Sequence, residues 1–226
     1  VLWDVKLTML LQCQEVAQRA GWKLKTLLRT KRFFSTKELV GLYKSHVLPV
    51  LEFSTPAVFH AATSVLELLD RVQGRFLREV ELTEEEALLY FNLAPLNCRR
   101  DIAVLGLIHK TVLGDGPEHF REWFFLSAEP AVYLTRLQER KHSKQVHTYS
   151  GGKQTELLSR SLLGQTRVYN NLLQTEVDAS TVKLFQRKLQ WRLKEEARKQ
   201  MQEPLVYFTR FARKPWQLTF SVRKGN

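Results

Sequence analysis

Apolar residues recur at spacings of three, four and seven, and hydroxyl residues standing three positions before a glutamate interrupt them. That spacing suits a helix, which returns to the same face about every 3.6 residues. Over residues 8–31 the stripe is Leu10, Leu11, Ala17, Ala20, Leu24, Leu27 and Leu28. Ser35 with Glu38 spells a capping box, in which hydroxyl and carboxylate each satisfy an orphan amide. The next helix carries Leu39, Leu42, Tyr43 and Val47, and Pro49 ends or kinks it. A further apolar stretch, Val50 to Ala62, contains Pro56. Ser64, with Glu67 in place, is expected to cap a helix whose apolar face is Val65, Leu68, Leu69, Val72, Phe76, Leu77 and Val80.

Thr83 followed by Glu84, Glu85 and Glu86 starts another helix, because negative charge favours the positive end of the helix dipole. It runs to about Asn92, and Pro95 breaks it. Asn97 is expected to cap the next helix, with Ile102, Leu105, Ile108 and Val112 on its apolar face. Gly114 and Gly116 stop it, and Pro117 opens a short helix ending near Phe125. Residues 127–155 are polar, contain Pro130 and end in Gly151-Gly152, which predicts a linker or long loop. Periodicity returns over 156–200. After Pro204 the chain alternates weakly and predicts a short strand or an extended tail. With only 10 glycines and 7 prolines in 226 residues, the expected fold is all-α. The expected division is a helical domain over 1–126, a linker over 127–155 and a basic helical region over 156–226.

The charge is uneven. Residues 1–60 carry a balance of +5, residues 61–130 of −5 and residues 131–226 of +12. A basic tail suggests a polyanion such as nucleic acid, or an anionic membrane surface; the alternative is a solvated basic face. The longest apolar run, Ile102 to Ile108, is far short of the roughly 20 residues that cross a bilayer, so no membrane span is expected. The N-terminus has no Met and no basic segment, and it reads as the interior of a longer chain. Two cysteines, Cys13 and Cys98, make no disulfide framework and fit a reducing, intracellular setting.

The chemical motifs are mostly missing. Gly151-Gly152-Lys153-Gln154-Thr155 departs from a phosphate loop at both ends: His147 stands at the first glycine position and Gln154 at the magnesium hydroxyl. His142 and His147 have no second His or Cys pair to complete a tetrahedral metal site. Two-metal phosphoryl chemistry needs clustered carboxylates. The five aspartates, Asp4, Asp70, Asp101, Asp115 and Asp178, are all isolated. The Glu84–Glu86 run is better explained by helix capping. No catalytic residue, metal site or cofactor is expected in this chain.

The basic residues fall into three sets. Lys23, Lys25, Arg29, Lys31 and Arg32 end the first helix, where they complement its dipole and can also face a polyanion. Arg99 and Arg100 lie in a first helical turn, against the dipole, and so call for partners. Those are either an ion pair with Glu84–Glu86 or Asp101, or a phosphate. Lys183, Arg187, Lys188, Arg192, Lys194, Arg198 and Lys199 form an expected ridge opposite Val182, Phe185, Leu189 and Leu193. Trp191, on the same helix, either stacks on a base or fills packing, with packing favoured.

Ordered blocks of the sequence resemble a known family. Leu42-Tyr43-Lys44-Ser45-His46-Val47-Leu48-Pro49-Val50-Leu51-Glu52-Phe53 is similar to L-Y-K-x-x-V-x-P-x-L-E-Y. Pro56-Ala57-Val58 resembles P-x-W, with Val58 where Trp is usual. The segment Leu69 to Arg78 resembles L-x-x-V-Q-x-x-x-L-R, and Leu93 to Arg100 resembles L-x-P-L-x-x-R-R. Leu2-Trp3-Asp4-Val5-Lys6-Leu7 looks like a degenerate strand and turn that closes the palm. Arg167 to Leu173, Val177 and Ser180 to Leu189 look like a C-terminal W-N-x-L-P block, with Tyr169 for Trp and Leu173 for Pro. Together these resemble the thumb and C-terminal region of non-LTR (LINE-like) retrotransposon reverse transcriptases.

The resemblance implies a helical thumb bundle over 8–125. Its magnesium-binding Asp pair would lie before Val1, and the chain contains no Asp-Asp. The function it implies is that of a non-catalytic fragment of an RNA-directed DNA polymerase. That fragment would hold template–primer nucleic acid, RNA or an RNA–DNA hybrid, by phosphate contacts, with palm and fingers domains as partners in a full-length polymerase. Two other readings compete: a degenerate remnant without activity, and a basic helical protein-interaction module.

Overall fold

The computed structural model describes residues 1–126, 142–148 and 156–202. The described residues are all-α. Their helices are α1 Leu10–Arg29, α2 Thr36–His46, α3 Leu48–Glu52, α4 Thr55–Val58, α5 Thr63–Glu79, α6 Glu84–Phe91 and α7 Leu96–Val112. After these come α8 Glu156–Arg160, α9 Thr166–Asn170, α10 Gln174–Val177 and α11 Val182–Gln202. Two 3₁₀ turns, Lys31–Phe33 and Glu118–Phe120, join them. The chain divides into two compact units, Val1–Arg100 and Asp101–Asn226, and the division falls inside α7 rather than near residue 126.

In the N-terminal unit, α1 packs on α5, α3 and α2. The buried stripe of α1 is Cys13, Val16, Ala20, Leu24 and Leu27, preceded by Met9. Leu10 and Leu11, expected on that stripe, are exposed. The helical spacing explains this: at about 100° per residue Leu11 falls opposite the Cys13–Leu27 stripe and Leu10 at its edge. Ahead of the helix, Asp4 accepts from the backbone amides of Lys6 (3.1 Å) and Thr8 (2.9 Å), and Met9 turns left-handed at φ 63°. The α5 face is Leu66, Leu69, Val72, Gln73, Phe76 and Leu77. At its heart Tyr43 of α2 stacks on Phe76, with centroids 4.2 Å apart and planes 10° apart. Burial also pushes the Cys13 thiol up to about 11.

Both strong capping boxes form. Ser35 Oγ accepts from the Glu38 amide and Glu38 Oε2 accepts from the Ser35 amide at 2.8 Å. Thr83 and Glu86 make the same reciprocal pair. Pro49 divides α2 from α3, as its missing amide requires. Two expected caps do not form. Helix α5 begins at Thr63 behind Ala62, so Ser64 lies inside its first turn. Helix α7 begins at Leu96, where the Pro95 carbonyl accepts from the Arg99 amide at 3.1 Å, so Asn97 is also inside and is buried.

The C-terminal unit is built around His109 of α7. Its ring stacks on Phe185 of α11 at 4.1 Å and 9°. Nε2 lies 3.0 Å from the Ala179 carbonyl and Nδ1 lies 2.9 Å from the Tyr169 hydroxyl. A carbonyl can only accept, so Nε2 carries the hydrogen and Nδ1 accepts from Tyr169. Burial lowers the His109 pKa; the Ala179 hydrogen bond opposes this, and the charges of Lys144, His142 and Lys188 add to it. On α11, Phe185, Leu189, Leu193 and Ala197 are buried, close to the expected inward face.

Gly114 stands at φ 89°, and a Cβ at Gly116 would meet the Thr111 Cα at 2.6 Å, so both glycines at the end of α7 are required. Pro117 precedes only the short 3₁₀ turn, not a helix reaching Phe125. Of the expected linker, residues 142–148 are tied down. Asn170 exchanges two hydrogen bonds with the Val146 backbone, at 2.9 and 2.7 Å. His142 donates to the Tyr169 carbonyl at 2.9 Å, and Val146 bridges antiparallel to Leu126. The rest of that segment, and the tail after Pro204, lie outside the described residues.

Candidate nucleic-acid interface

The three basic sets meet different fates. Arg99 and Arg100 serve the N-terminal unit itself. Arg99 binds Glu52 in a fork, with Nη2 to Oε2 at 3.1 Å and Nε to the other oxygen. Arg100 is 2% exposed and grips Asp70 at 2.8 Å. The ion-pair reading therefore describes both, but with partners on α3 and α5 in place of Glu84–Glu86 or Asp101. A side chain as enclosed as Arg100 cannot reach a phosphate, so Arg100 leaves the candidate set, and Arg99 is committed to Glu52.

The ridge on α11 is largely engaged as well. Arg192 pairs with the buried Glu176 at 3.0 Å. Lys188 donates to the Thr175 carbonyl, Arg198 pairs with Glu195, and Lys199 approaches Glu196 at 3.4 Å. Partial burial, with the neighbouring Arg198 charge second, lowers the Lys194 pKa from its ordinary value. Lys183 and Arg187 stay exposed. Trp191 is 64% exposed, so it does not fill packing as favoured above.

The set at the end of α1 is the open one. Lys23, Lys25, Arg29, Lys31 and Arg32 are all exposed. Among the described residues only Lys31 has an ion-pair partner, Glu79 at 3.1 Å, and that pair is itself solvent-facing. The helix fixes this openness: at about 100° per residue, Arg19, Trp22, Lys25, Thr26 and Arg29 lie opposite the buried Cys13–Leu27 stripe. Fixed cations on an exposed helix end can neutralise phosphates without reading sequence.

Aromatic side chains stand among these cations, and sequence reasoning missed them. Trp22 is 62% exposed and Phe33 is 68% exposed, with Phe34 exposed beside it. Lys25 Nζ lies over the Trp22 ring at 5.4 Å, and the Arg32 guanidinium over the Phe33 ring at 4.6 Å. The signal was present: Trp22 stands three and seven residues before Lys25 and Arg29, on the polar side of the helix.

Among the described residues, no group of three His, Cys, Asp or Glu side chains could hold a metal ion. No described helix is long and apolar enough to cross a membrane. Compared with known proteins, the chain matches no family model, no curated protein and no solved structure.

Proposed function

We propose that the chain is a non-catalytic part of an RNA-directed DNA polymerase of the non-LTR retroelement kind, and that it holds nucleic acid by its phosphates. The motif resemblance supports the polymerase context, with palm and fingers domains as partners. The observation that carries the binding role is the exposed set Lys23, Lys25, Arg29, Lys31 and Arg32. These are five cations within ten residues, four of them without an ion-pair partner among the described residues. Charges left in solvent are available to a polyanion. On α11, Lys188 and Arg192 are engaged with a carbonyl and an acid of their own unit, which leaves Lys183 and Arg187, with Arg198 and Lys199 in solvent-facing pairs like that of Lys31, as its contribution.

The test is fluorescence anisotropy with labelled RNA, DNA and RNA–DNA hybrid across a salt series. Each phosphate contact contributes a log–log slope of about −0.9 on a duplex and about −0.7 on a single strand. Changing Lys23, Lys25 and Arg29 together to Gln should weaken binding to unrelated sequences alike and flatten the slope by roughly two to three units. Failure of the wild-type chain to bind any nucleic acid at low salt would overturn the reading and favour the inactive remnant.

A further inference from the structure

We propose that the open face of α1 and the 3₁₀ turn after it take unpaired bases, with Trp22 and Phe33 as stacking platforms among the phosphate-binding cations. The bound form is then a single strand of RNA or DNA rather than a duplex. The proposal rests on the nucleic-acid reading above and narrows it.

The argument starts from where the rings are. Trp22 sits mid-helix, opposite the Cys13, Val16, Ala20, Leu24 and Leu27 stripe that already fills the core side of α1. It has no place in that core and keeps 62% of its surface in water. Phe33 follows eleven residues later, more exposed still. A single exposed aromatic needs no explanation. Two aromatics, each carrying a cation over its ring within a short cationic segment, form the pairing that single-strand binders use: π-faces for bases and positive charge for the backbone. Phosphate contacts to a duplex would need the cations alone, because duplex bases are already stacked on one another.

A membrane surface is the competing anion, and the face of α1 argues against it. A helix lying in a bilayer interface presents a broad apolar face to the lipid. Here the apolar face is used by the core, and around Trp22 the exposed side offers Arg19, Lys25, Thr26 and Arg29.

The experiment uses the full chain and four probes: a labelled oligothymidylate, an abasic strand of the same length, a duplex of mixed sequence, and vesicles rich in phosphatidylserine. The variants are Trp22→Ala, Trp22→Phe and Phe33→Ala, each checked for helix content by circular dichroism. Both sites are exposed, so folding should survive. Wild type should prefer the oligothymidylate to the abasic strand by about tenfold or more, the scale of one base–aromatic stack. Trp22→Ala and Phe33→Ala should each cut that preference severalfold, leave the salt slope unchanged, and leave duplex affinity unchanged. Trp22→Phe should restore most of it. Equal affinity for base-bearing and abasic strands, with the salt slope intact, overturns the stacking proposal and leaves phosphate holding in place. Binding to no nucleic acid overturns both. Vesicle binding that exceeds oligonucleotide binding and falls with Trp22→Ala overturns the proposal in favour of a membrane surface.

Discussion

The two units solve the same packing problem with different chemistry. Among the described residues, each buries a parallel aromatic stack: Tyr43 on Phe76 at 4.2 Å in the first, His109 on Phe185 at 4.1 Å in the second. Each has an ion pair with an enclosed member, Arg100 at 2% exposure with Asp70, and Glu176 with Arg192. Each exposes a tryptophan on a cationic helix, Trp22 on α1 and Trp191 on α11. Yet the first stack is surrounded by aliphatic side chains, and the Tyr43 hydroxyl has no hydrogen-bond partner among the described residues. The second is a polar hub in which both histidine nitrogens are used. The first unit leaves the cations at the end of α1 in solvent, whereas the second ties down Lys188 and Arg192 in the middle of α11.

The largest expected effect tests the ion pairs. Arg100→Ala removes an enclosed side chain and leaves Asp70, itself partly exposed, without its guanidinium, so urea unfolding should show a loss of about 2–3 kcal/mol. Arg192→Ala should cost less, because Arg192 is itself partly exposed and water can reach the position it vacates. Equal losses would break the comparison.

Next come the two tyrosines. Tyr169→Phe removes the donor to His109 Nδ1 and leaves a buried acceptor unsatisfied, so it should cost about 1–3 kcal/mol. Tyr43→Phe removes a hydroxyl that satisfies nothing and should be neutral or mildly stabilising. The pair is measured by urea midpoints at constant slope.

The third test is pH. Burial lowers the folded pKa of His109, so the unfolded chain binds more protons between the folded value and the ordinary value near 6.5. Stability from His109 is therefore complete above about pH 6.5 and is lost as pH falls toward the folded value. Lys144, His142 and Lys188 push the same way. Amide exchange should show lost protection around Tyr169 and Phe185 at pH 5.5 relative to pH 7.5, with protection around Tyr43 and Phe76 kept. His109→Gln should flatten that dependence.

The smallest effects are the caps. Ser35→Ala and Thr83→Ala each remove a reciprocal box and should cost about 1 kcal/mol. Thr181, whose hydroxyl accepts from the Leu184 amide at 3.2 Å, makes a one-way cap on α11, and Thr181→Ala should cost about half as much. Thermal midpoints resolve the order.

Features that depend on neighbours within a turn or two can be read from the residues alone. The boxes at Ser35–Glu38 and Thr83–Glu86, the break at Pro49, the glycine stop after α7 and the inward face of α11 need only local spacing, and all were legible. The same locality explains the near misses. Ser64 and Asn97 have good capping chemistry, but the chain entered the helix before them, at Ala62 and Pro95. Leu10 and Leu11 are apolar neighbours of the stripe, but at about 100° per residue they fall at its edge and on its far side.

Only the tertiary structure decided which cations remain open. Arg99 finds Glu52 47 residues away, Arg100 finds Asp70 30 residues away, and His109 finds Tyr169 60 residues away. The basic end of α1 and the basic ridge of α11 looked alike in sequence, but Glu176 and the Thr175 carbonyl came up beside the second. A charge in sequence has a sign and a position along the helix. Whether it meets a carboxylate or the solvent depends on which helices pack together, and that is settled by the burial of apolar faces rather than by the charges.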